Sequence, residues 1–347
     1  MTGKSGRVGR APLADAVYST PVMPEGRVAV LLPCHNEELS IGSVVAGFTQ
    51  ALPQAAIFVF DNNSTDKTAE AARCAGAVVF SENQKGKGHV VRRMFRDIDA
   101  DFYVIADGDD TYDPSVAPAM LELARSGPFD LVNCVRIADG EDAFRGGHRL
   151  GNYLLTSAVR KIFGNRVQDM LSGYKVLSRR FVKSFPVLSR GFDVETELTV
   201  HALELSMPIA HVEGSYRSRP AGSTSKLRTF RDGWRILGMI LRLTRHERPL
   251  FFFGFLAVLA FVIAVALAIP VILTYLSTGL VPRLPTAVLS AAIVQVGMLS
   301  LMTGVILDTV TRGRLEARLL AYLQCPAPPT TEPTGSDTSG NRDQLSR

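Results

Sequence analysis

Short apolar runs alternate with stretches of helical spacing through the first half of the chain. Residues 27–32 form the first run, Arg27-Val-Ala-Val-Leu-Leu32, which ends at Pro33. Residues 56–60, 77–80, 102–106 and 130–135 repeat the form. Runs this short, apolar on both faces, suit strands buried inside a sheet. Between them, residues near 40–52, 64–75, 86–97 and 114–125 place apolar side chains at helical intervals. Strands alternating with helices predict an α/β fold whose Rossmann-like, mostly parallel sheet is covered on both faces. In such sheets ligands bind beyond the carboxyl ends of the strands.

The pattern changes after residue 225. Residues 226–248 fit an amphipathic helix, with Phe230, Trp234, Leu237 and Leu241 in one stripe. Arg231, Arg235, Arg242 and Arg245 form a second stripe about 100° around the helix. That pattern predicts a helix lying in a membrane interface, with Trp234 as an anchor. A helix packed on the sheet with a solvated basic face is the plainer alternative. Residues 250–276 and 284–307 then run without a charge, and each exceeds the ~20 residues that span a bilayer. From Pro249 to Leu307 the only charged residue is Arg283. The short turn at 277–283 makes the two spans a hairpin. Arg242, Arg245 and Arg248 precede it, and Arg312, Arg314 and Arg318 follow it. Basic flanks on both sides place both ends, and the N-terminal domain with them, in the cytoplasm.

Composition adds boundaries. The chain has 347 residues, 46% of them hydrophobic, and the excess is concentrated in the hairpin. Its net charge of +5 clusters around that block, which argues for a membrane surface rather than nucleic acid. Cys34, Cys74, Cys134 and Cys325 are scattered, so neither a zinc site nor a disulfide framework is expected. The expected organisation is a disordered leader at 1–26, a folded domain at 27–225 and an interfacial helix at 226–248. Two transmembrane helices at 249–308 and a basic, then disordered, tail at 309–347 complete it. Homo-oligomer formation is left open.

Polar motifs fall at the predicted strand ends. Ala106-Asp-Gly-Asp-Asp110 follows the fourth run, so Asp107 and Asp109 can share a divalent cation, with Gly108 between them. Hard oxygen ligands suit Mg²⁺ or Mn²⁺, which can bridge a diphosphate. An acidic turn capping the next helix is the plainer reading. Leu32-Pro-Cys-His-Asn-Glu37 ends the first strand, and Asp61-Asn-Asn-Ser-Thr-Asp66 ends the second. Asp61 can accept hydrogen bonds from a base or ribose, while Ser64 or Asp66 can cap a helix. Lys85-Gly-Lys-Gly-His89 suits phosphate contact through Lys87, and it equally suits a surface turn. Neither a GxGxxG fingerprint nor a Walker loop is present. Glu195 and Glu197 open a helix, where they serve either an acceptor site or the helix dipole. His148, His201 and His211 lack metal-like spacing and read as structural or surface residues.

In order and spacing these segments resemble family 2 glycosyltransferases of GT-A fold, in the branch of dolichol-phosphate mannosyltransferases and polyprenyl-phosphate glycosyltransferases. Gln168-Asp-Met-Leu-Ser-Gly-Tyr-Lys175 and Arg219-Pro-Ala-Gly-Ser-Thr-Ser-Lys226 extend the likeness, which covers about residues 27–248. The resemblance implies that Pro33, His35, Glu37 and Asp61 line a nucleoside pocket and that Asp107 and Asp109 hold the metal and diphosphate. It implies that Arg136 meets the donor sugar or phosphate and that Asp169 lies near the reacting centre. Lys175, Arg219 and Lys226 would be cations for an acceptor phosphate and the leaving diphosphate. His35 stands where many members have Tyr, and Asn62-Asn63 replaces the commoner Asp-Gly. The implied reaction is inverting transfer of a sugar from a UDP- or GDP-linked donor to a polyprenyl phosphate at the membrane. A phosphate acceptor is already anionic, so positioning and charge stabilisation matter more than a general base. A family 2 enzyme acting on a glycan or polysaccharide, or an inactive membrane nucleotide-sugar-binding protein, are the competing readings.

Overall fold

The computed structural model describes residues 26–138, 167–187, 194–217 and 248–327, with residues 157, 238, 241 and 245 as single positions. Arg219, Lys226, His148, Trp234, the leader, the far end of the tail and most of the expected interfacial helix lie outside the described residues.

The order begins β1 (Val28–Cys34), α1 (Ile41–Ala51), β2 (Ala56–Asp61), α2 (Thr68–Cys74), β3 (Val78–Ser81), α3 (Lys87–Asp97) and β4 (Phe102–Ile105). A 3-10 turn at Pro114–Val116 leads into α4 (Ala117–Ser126) and β5 (Leu131–Ala138). Next come β6 (Lys175–Ser178), α5 (Arg179–Ser184), α6 (Val194–Glu204) and β7 (Ile209–Tyr216). The chain closes with α7 (Pro249–Thr278) and α8 (Leu284–Gln324).

The strands form one seven-stranded sheet in the order β3-β2-β1-β4-β6-β5-β7. β6 runs antiparallel to both β4 and β5, and the other pairings are parallel. The sequence pattern therefore anticipates the first five strands but not the last two. β6 has only two apolar residues, Val176 and Leu177, between Lys175 and Ser178. β7 is interrupted by His211, Glu213 and Ser215 and is buried only in part.

Alternation explains the continuous apolar runs. Val28, Val30 and Leu32 face a core built with Val44, Phe48, Met120 and Leu121 from α1 and α4. Ala29 and Leu31 face the other core, with Val91 and Met94 from α3 and Phe181 from α5. Each residue of β1 is buried on one side or the other, so no polar position interrupts its run.

Helices α7 and α8 pack as an antiparallel hairpin, and their apolar side chains point outward. Phe251 and Leu276 are 73% and 74% exposed, the reverse of a core helix. Both helices are long and apolar enough to cross a membrane. Gly279 ends α7 with φ 70°, its amide bonded to the Tyr275 carbonyl. Within the hairpin, close approach depends on small residues. A Cβ at Gly297 would lie 3.3 Å from the Ala257 carbonyl and 3.3 Å from the Ala260 methyl carbon.

The second helix does not stop where its uncharged stretch ends. Gly304 packs on Leu250 near the start of α7, so the following twenty residues run on past the hairpin to Gln324. This basic segment returns to the sheet domain. Leu315 and Tyr322 pack on the core that contains Phe181, and Arg318 pairs with Glu204 at the end of α6. Tyr322 donates to Asp130 at 2.8 Å, and the Arg180 guanidinium lies 4.8 Å over its ring. Asp130 is fully buried and also accepts from Ser178 and Arg180, each at 2.5 Å.

Two predictions follow from this packing. Gly297→Leu should overpack the hairpin and lower unfolding free energy by about 1–3 kcal/mol. Gly254→Leu, at a site with open space around its Cα, should not. Denaturant unfolding of the detergent-solubilised chain compares the two, and equal losses would refute the close-contact reading. His201 supplies the second. Burial, aided by the Arg318 charge, lowers its pKa to about 3, and its Nε2 pairs with Ser184 at 3.0 Å. The folded state thus keeps it neutral, while the unfolded chain protonates it near pH 6.5. Stability from this group is complete above about pH 6.5 and falls by about 1.4 kcal/mol per unit as pH drops towards the folded value. His201→Gln should flatten the acid limb of a plot of unfolding midpoint against pH.

Candidate active site

The carboxyl ends of β1, β2 and β4 meet at one edge of the sheet, and the loops leaving them are stitched together. Asn36, Asn63 and Asp110 adopt φ of 56°, 58° and 59°, a left-handed conformation that Asn and Asp tolerate best among side-chain-bearing residues. The Asn36 amide donates to Ser64 Oγ at 2.9 Å, and Asn36 Oδ1 accepts from the Thr65 amide at 2.8 Å. The Glu37 amide donates to Thr68 Oγ1 at 2.8 Å, and Asp66 accepts from the Thr68 amide at 3.1 Å. Asp66 thus holds the start of α2, while Ser64 binds the neighbouring loop instead. Asn62 clamps the glycine–lysine segment. Its side chain donates to the carbonyls of Glu82 and Gln84 and accepts from the Gly86 amide at 2.8 Å.

That clamp delivers Lys87 to the acidic edge. Lys87 Nζ lies 2.5 Å from Asp107 Oδ1 and also pairs with Glu195 in the first turn of α6. Burial disfavours the charged ammonium, but the two carboxylates outweigh it and hold its pKa well above the ordinary lysine value. Glu37 sits beside this group. Burial first, then the charges of Asp109 and Asp107, push its carboxyl up to about 8. Burial and Glu37 likewise raise the Cys34 thiol. The Cys34 thiol hydrogen-bonds the Glu37 carboxyl, whereas His35 Nδ1 is buried without a protein partner.

Packing around Asp107 and Asp109 is close. A Cβ at Gly108 would collide with Cys34 Sγ and lie 2.5 Å from Glu37 Oε2. A Cβ at Gly173 would collide with the Asp107 carboxylate. Tyr112 Oη accepts from the Gly173 amide at 2.7 Å and fixes that approach. Asp109 is buried and accepts from the Thr111 hydroxyl at 2.6 Å.

A second charged group lies along β5 and β6. Arg136 holds Asp169 with two hydrogen bonds, at 2.7 and 2.8 Å, and its guanidinium lies 5.3 Å from the Tyr216 ring centre. Burial opposes ionisation of Asp169, but the bonds and charge of Arg136 prevail and keep its pKa low. Lys175 departs from the expectation that it meets a substrate phosphate. It is 1% exposed, and Nζ donates to Asn133 Oδ1 at 2.5 Å. Asn133 in turn donates to the Asp169 carbonyl at 2.9 Å. Lys175 therefore braces the Asp169 segment from beneath. Burial lowers its pKa to about 8.

The structure thus brings Glu37, Lys87, Asp107, Gly108 and Asp109 into one cluster, with Pro33, His35 and Asp61 on the adjoining strand ends. Arg136 and Asp169 form the neighbouring pair. The sequence marks Asn62 only as a departure from Asp-Gly and gives it no role, assigns none to Gly173 or Tyr112, and leaves Glu195 between two roles. The exchange of Asp-Gly for Asn62-Asn63 was the available signal for the first. Among the described residues, no group of three or more His, Cys, Asp or Glu is arranged to hold a metal ion. Two carboxylates of Asp107 and Asp109 suit a hard cation only if a ligand such as a diphosphate supplies further oxygens.

Comparison with known proteins agrees with this arrangement. Residues 29–185 match the family described as Glycosyl transferase family 2. Glycosyltransferase AglJ of Haloferax volcanii is 32% identical over 285 residues, covering 82% of this chain and 93% of that protein. The dolichyl-phosphate hexose transferase of the same organism is 30% identical over 221 residues, covering 64% of this chain and 95% of that one. Among solved structures, glucosyl-3-phosphoglycerate synthase from Mycobacterium tuberculosis, in complex with Mg²⁺ and uridine diphosphate, superposes with a TM-score of 0.51. It is 25% identical and covers 63% of this chain and 78% of that chain. Motif order, sheet topology and similarity to AglJ over 82% of this chain converge, and the chain belongs to glycosyl transferase family 2.

Proposed function

We propose that the chain transfers a hexose from a nucleotide-diphosphate sugar to a polyprenyl phosphate at the cytoplasmic face of a membrane. One observation carries the reading. The second apolar helix continues without a break into the sheet domain and is fastened there by Arg318, Tyr322 and Leu315. A catalytic sheet bolted to a membrane hairpin is held where a lipid acceptor lives. The similarity to a dolichyl-phosphate hexose transferase supports the acceptor class. Basic residues at both flanks of the hairpin support the cytoplasmic orientation.

In this reading Pro33, His35 and Asp61 receive the nucleoside, and the unpaired His35 Nδ1 gains a partner there. Asp107 and Asp109 would hold Mg²⁺ or Mn²⁺, an ion that would supply charge neutralisation for a leaving diphosphate. Lys87 is placed to turn from Asp107 to a phosphate oxygen, and Glu195 keeps it at the edge. Arg136 and Asp169 flank the sugar, with Lys175 and Asn133 holding Asp169 in place. Arg219 and Lys226 serve the acceptor phosphate. Attack by a lipid phosphate oxygen on the anomeric carbon breaks the bond to the diphosphate and inverts that centre. The acceptor needs no proton removed, so the chain's contribution is alignment and charge.

Membranes bearing the chain, supplied with labelled nucleotide-sugars one at a time, should yield labelled polyprenyl-phosphate sugar with one donor and a divalent ion. The same donor should raise the thermal unfolding midpoint of the purified chain. Asp109→Asn should cut transfer by about 100-fold or more and change the metal requirement. Full turnover in that variant with an unchanged metal requirement would remove Asp109 from the metal site. Label appearing only on an added glycan would overturn the lipid acceptor.

A further inference from the structure

The cytoplasmic end of the hairpin holds a pocket that the transfer reaction does not use. Its volume is about 280 Å³, and it is lined by Arg245, Phe253, Leu307, Val310, Thr311 and Arg314. Leu307, Val310, Thr311 and Arg314 fall at i, i+3, i+4 and i+7, one face of α8. Phe253 comes from the first turns of α7, and Arg245 lies four residues before that helix. The floor is apolar and rigidly placed. Ser300 donates to the Phe253 carbonyl at 3.0 Å, and the Gly304 Cα leaves room for the Phe253 Cβ, which would stand 3.0 Å from any Cβ there.

The rim is cationic. Arg245 and Arg314 line it beside Leu307, where the uncharged stretch ends. Asp308 is engaged by Arg312 at 2.9 Å. Glu316 lies about 200° round the helix from Arg314, on the opposite side. A ligand here must therefore pair a compact anion with an apolar body. Guanidiniums bind phosphate oxygens with directed, charge-assisted bonds, and the depth matches the level of lipid headgroups. A free anion would fill the rim and leave the Phe253–Leu307–Val310 floor bare.

We propose that this pocket binds the phosphate of a membrane lipid, between Arg245 and Arg314, with the lipid chain running down the hairpin. A headgroup seated there also lies next to Leu315 and Arg318, where α8 joins the sheet domain. The bound lipid would thus brace that junction. The proposal does not rest on the transfer reaction.

The test uses the full chain in neutral detergent, with bound lipid measured by native mass spectrometry. The probes are dioctanoyl phosphatidylglycerol, farnesyl phosphate, dioctanoyl phosphatidylcholine and inorganic phosphate. Both anionic lipids should bind, and Arg245→Gln with Arg314→Gln should weaken them about tenfold or more. The paired lysine variant should retain most of the affinity, and a nucleotide-sugar that stabilises the wild type should stabilise the glutamine pair equally, which shows that it folds. Tighter binding of farnesyl phosphate would name a polyprenyl phosphate as the preferred lipid, and equal binding would name anionic lipids generally. Both outcomes support the pocket. Unchanged affinity in the glutamine pair, phosphatidylcholine binding as well as phosphatidylglycerol, or inorganic phosphate displacing the lipids at equal concentration would each overturn it.

Discussion

Glu37, Asp107, Asp109 and Glu195 crowd one edge of the sheet, and like charges so close repel unless something offsets them. Lys87 is the offset the structure shows. It reaches Asp107 and Glu195 together, so it joins the end of β4 to the start of α6 across the cleft. Glu37 meets the same crowding in another way, with a carboxyl pushed up to about 8 by burial and by Asp109 and Asp107. Much of the surrounding packing follows from this arrangement. Gly108 and Gly173 are bare because the carboxylates of Glu37 and Asp107 occupy the space a side chain would need. Asn62 is turned inward because the loop that carries Lys87 must be held at one height.

The membrane end meets the opposite requirement. Its helices present apolar surface to their surroundings, so the link to a polar domain has to be made by a few directed contacts. Asp130 makes the largest of them. A fully buried carboxylate is costly unless its oxygens are satisfied, and here Ser178, Arg180 and Tyr322 satisfy them. Only one of those donors belongs to α8, and that is the point of the design. The carboxylate is already held by β6 and α5, so Tyr322 docks onto a fixed acceptor and not onto a mobile side chain. The same strand carries Lys175 at its other end, beneath Asp169. The apolar hairpin and the site are thus connected through one short strand.

What could be read from the chain, and what could not, divides along physical lines. Strands β1 to β5 were legible because each carries a short apolar run, unbroken in β1 because every residue there is buried on one face or the other. The hairpin was legible because Arg283 is the only charge in fifty-nine residues. β6 and β7 were not, since β6 has only Val176 and Leu177 as apolar residues and β7 is interrupted by His211, Glu213 and Ser215. The extension of α8 to Gln324 was hidden because its residues are basic, and basic residues after a span read as a flank whether or not they are helical. At the site, Asp107 and Asp109 announced themselves by spacing. Lys87 could equally have been a surface turn, because nothing local reveals Glu195, 108 residues away. Lys175 was misplaced for a related reason. A lysine in a motif suggests contact with a phosphate, while its burial beside Asn133 is a property of the sheet.

These misreadings share a cause that also bears on how the site works. Charge partners here are long-range: Lys87 with Glu195, Arg136 with Asp169, Arg318 with Glu204. Each pair closes a long loop of chain, so each is formed only once the sheet is complete. A ligand bringing a diphosphate and its cation to the edge would therefore meet groups already fixed in position. It could displace the Lys87 ammonium from Asp107 by a change in one side chain, while Glu195 still holds that ammonium at the edge. Little reorganisation is then left for the binding step, and the electrostatic advantage is carried forward to the point where negative charge develops on the departing group. Asn62 belongs to this logic as much as the charges do. If the loop at 84–86 were free, Lys87 would sample many positions, and the countercharge would have to be assembled each time a ligand arrived.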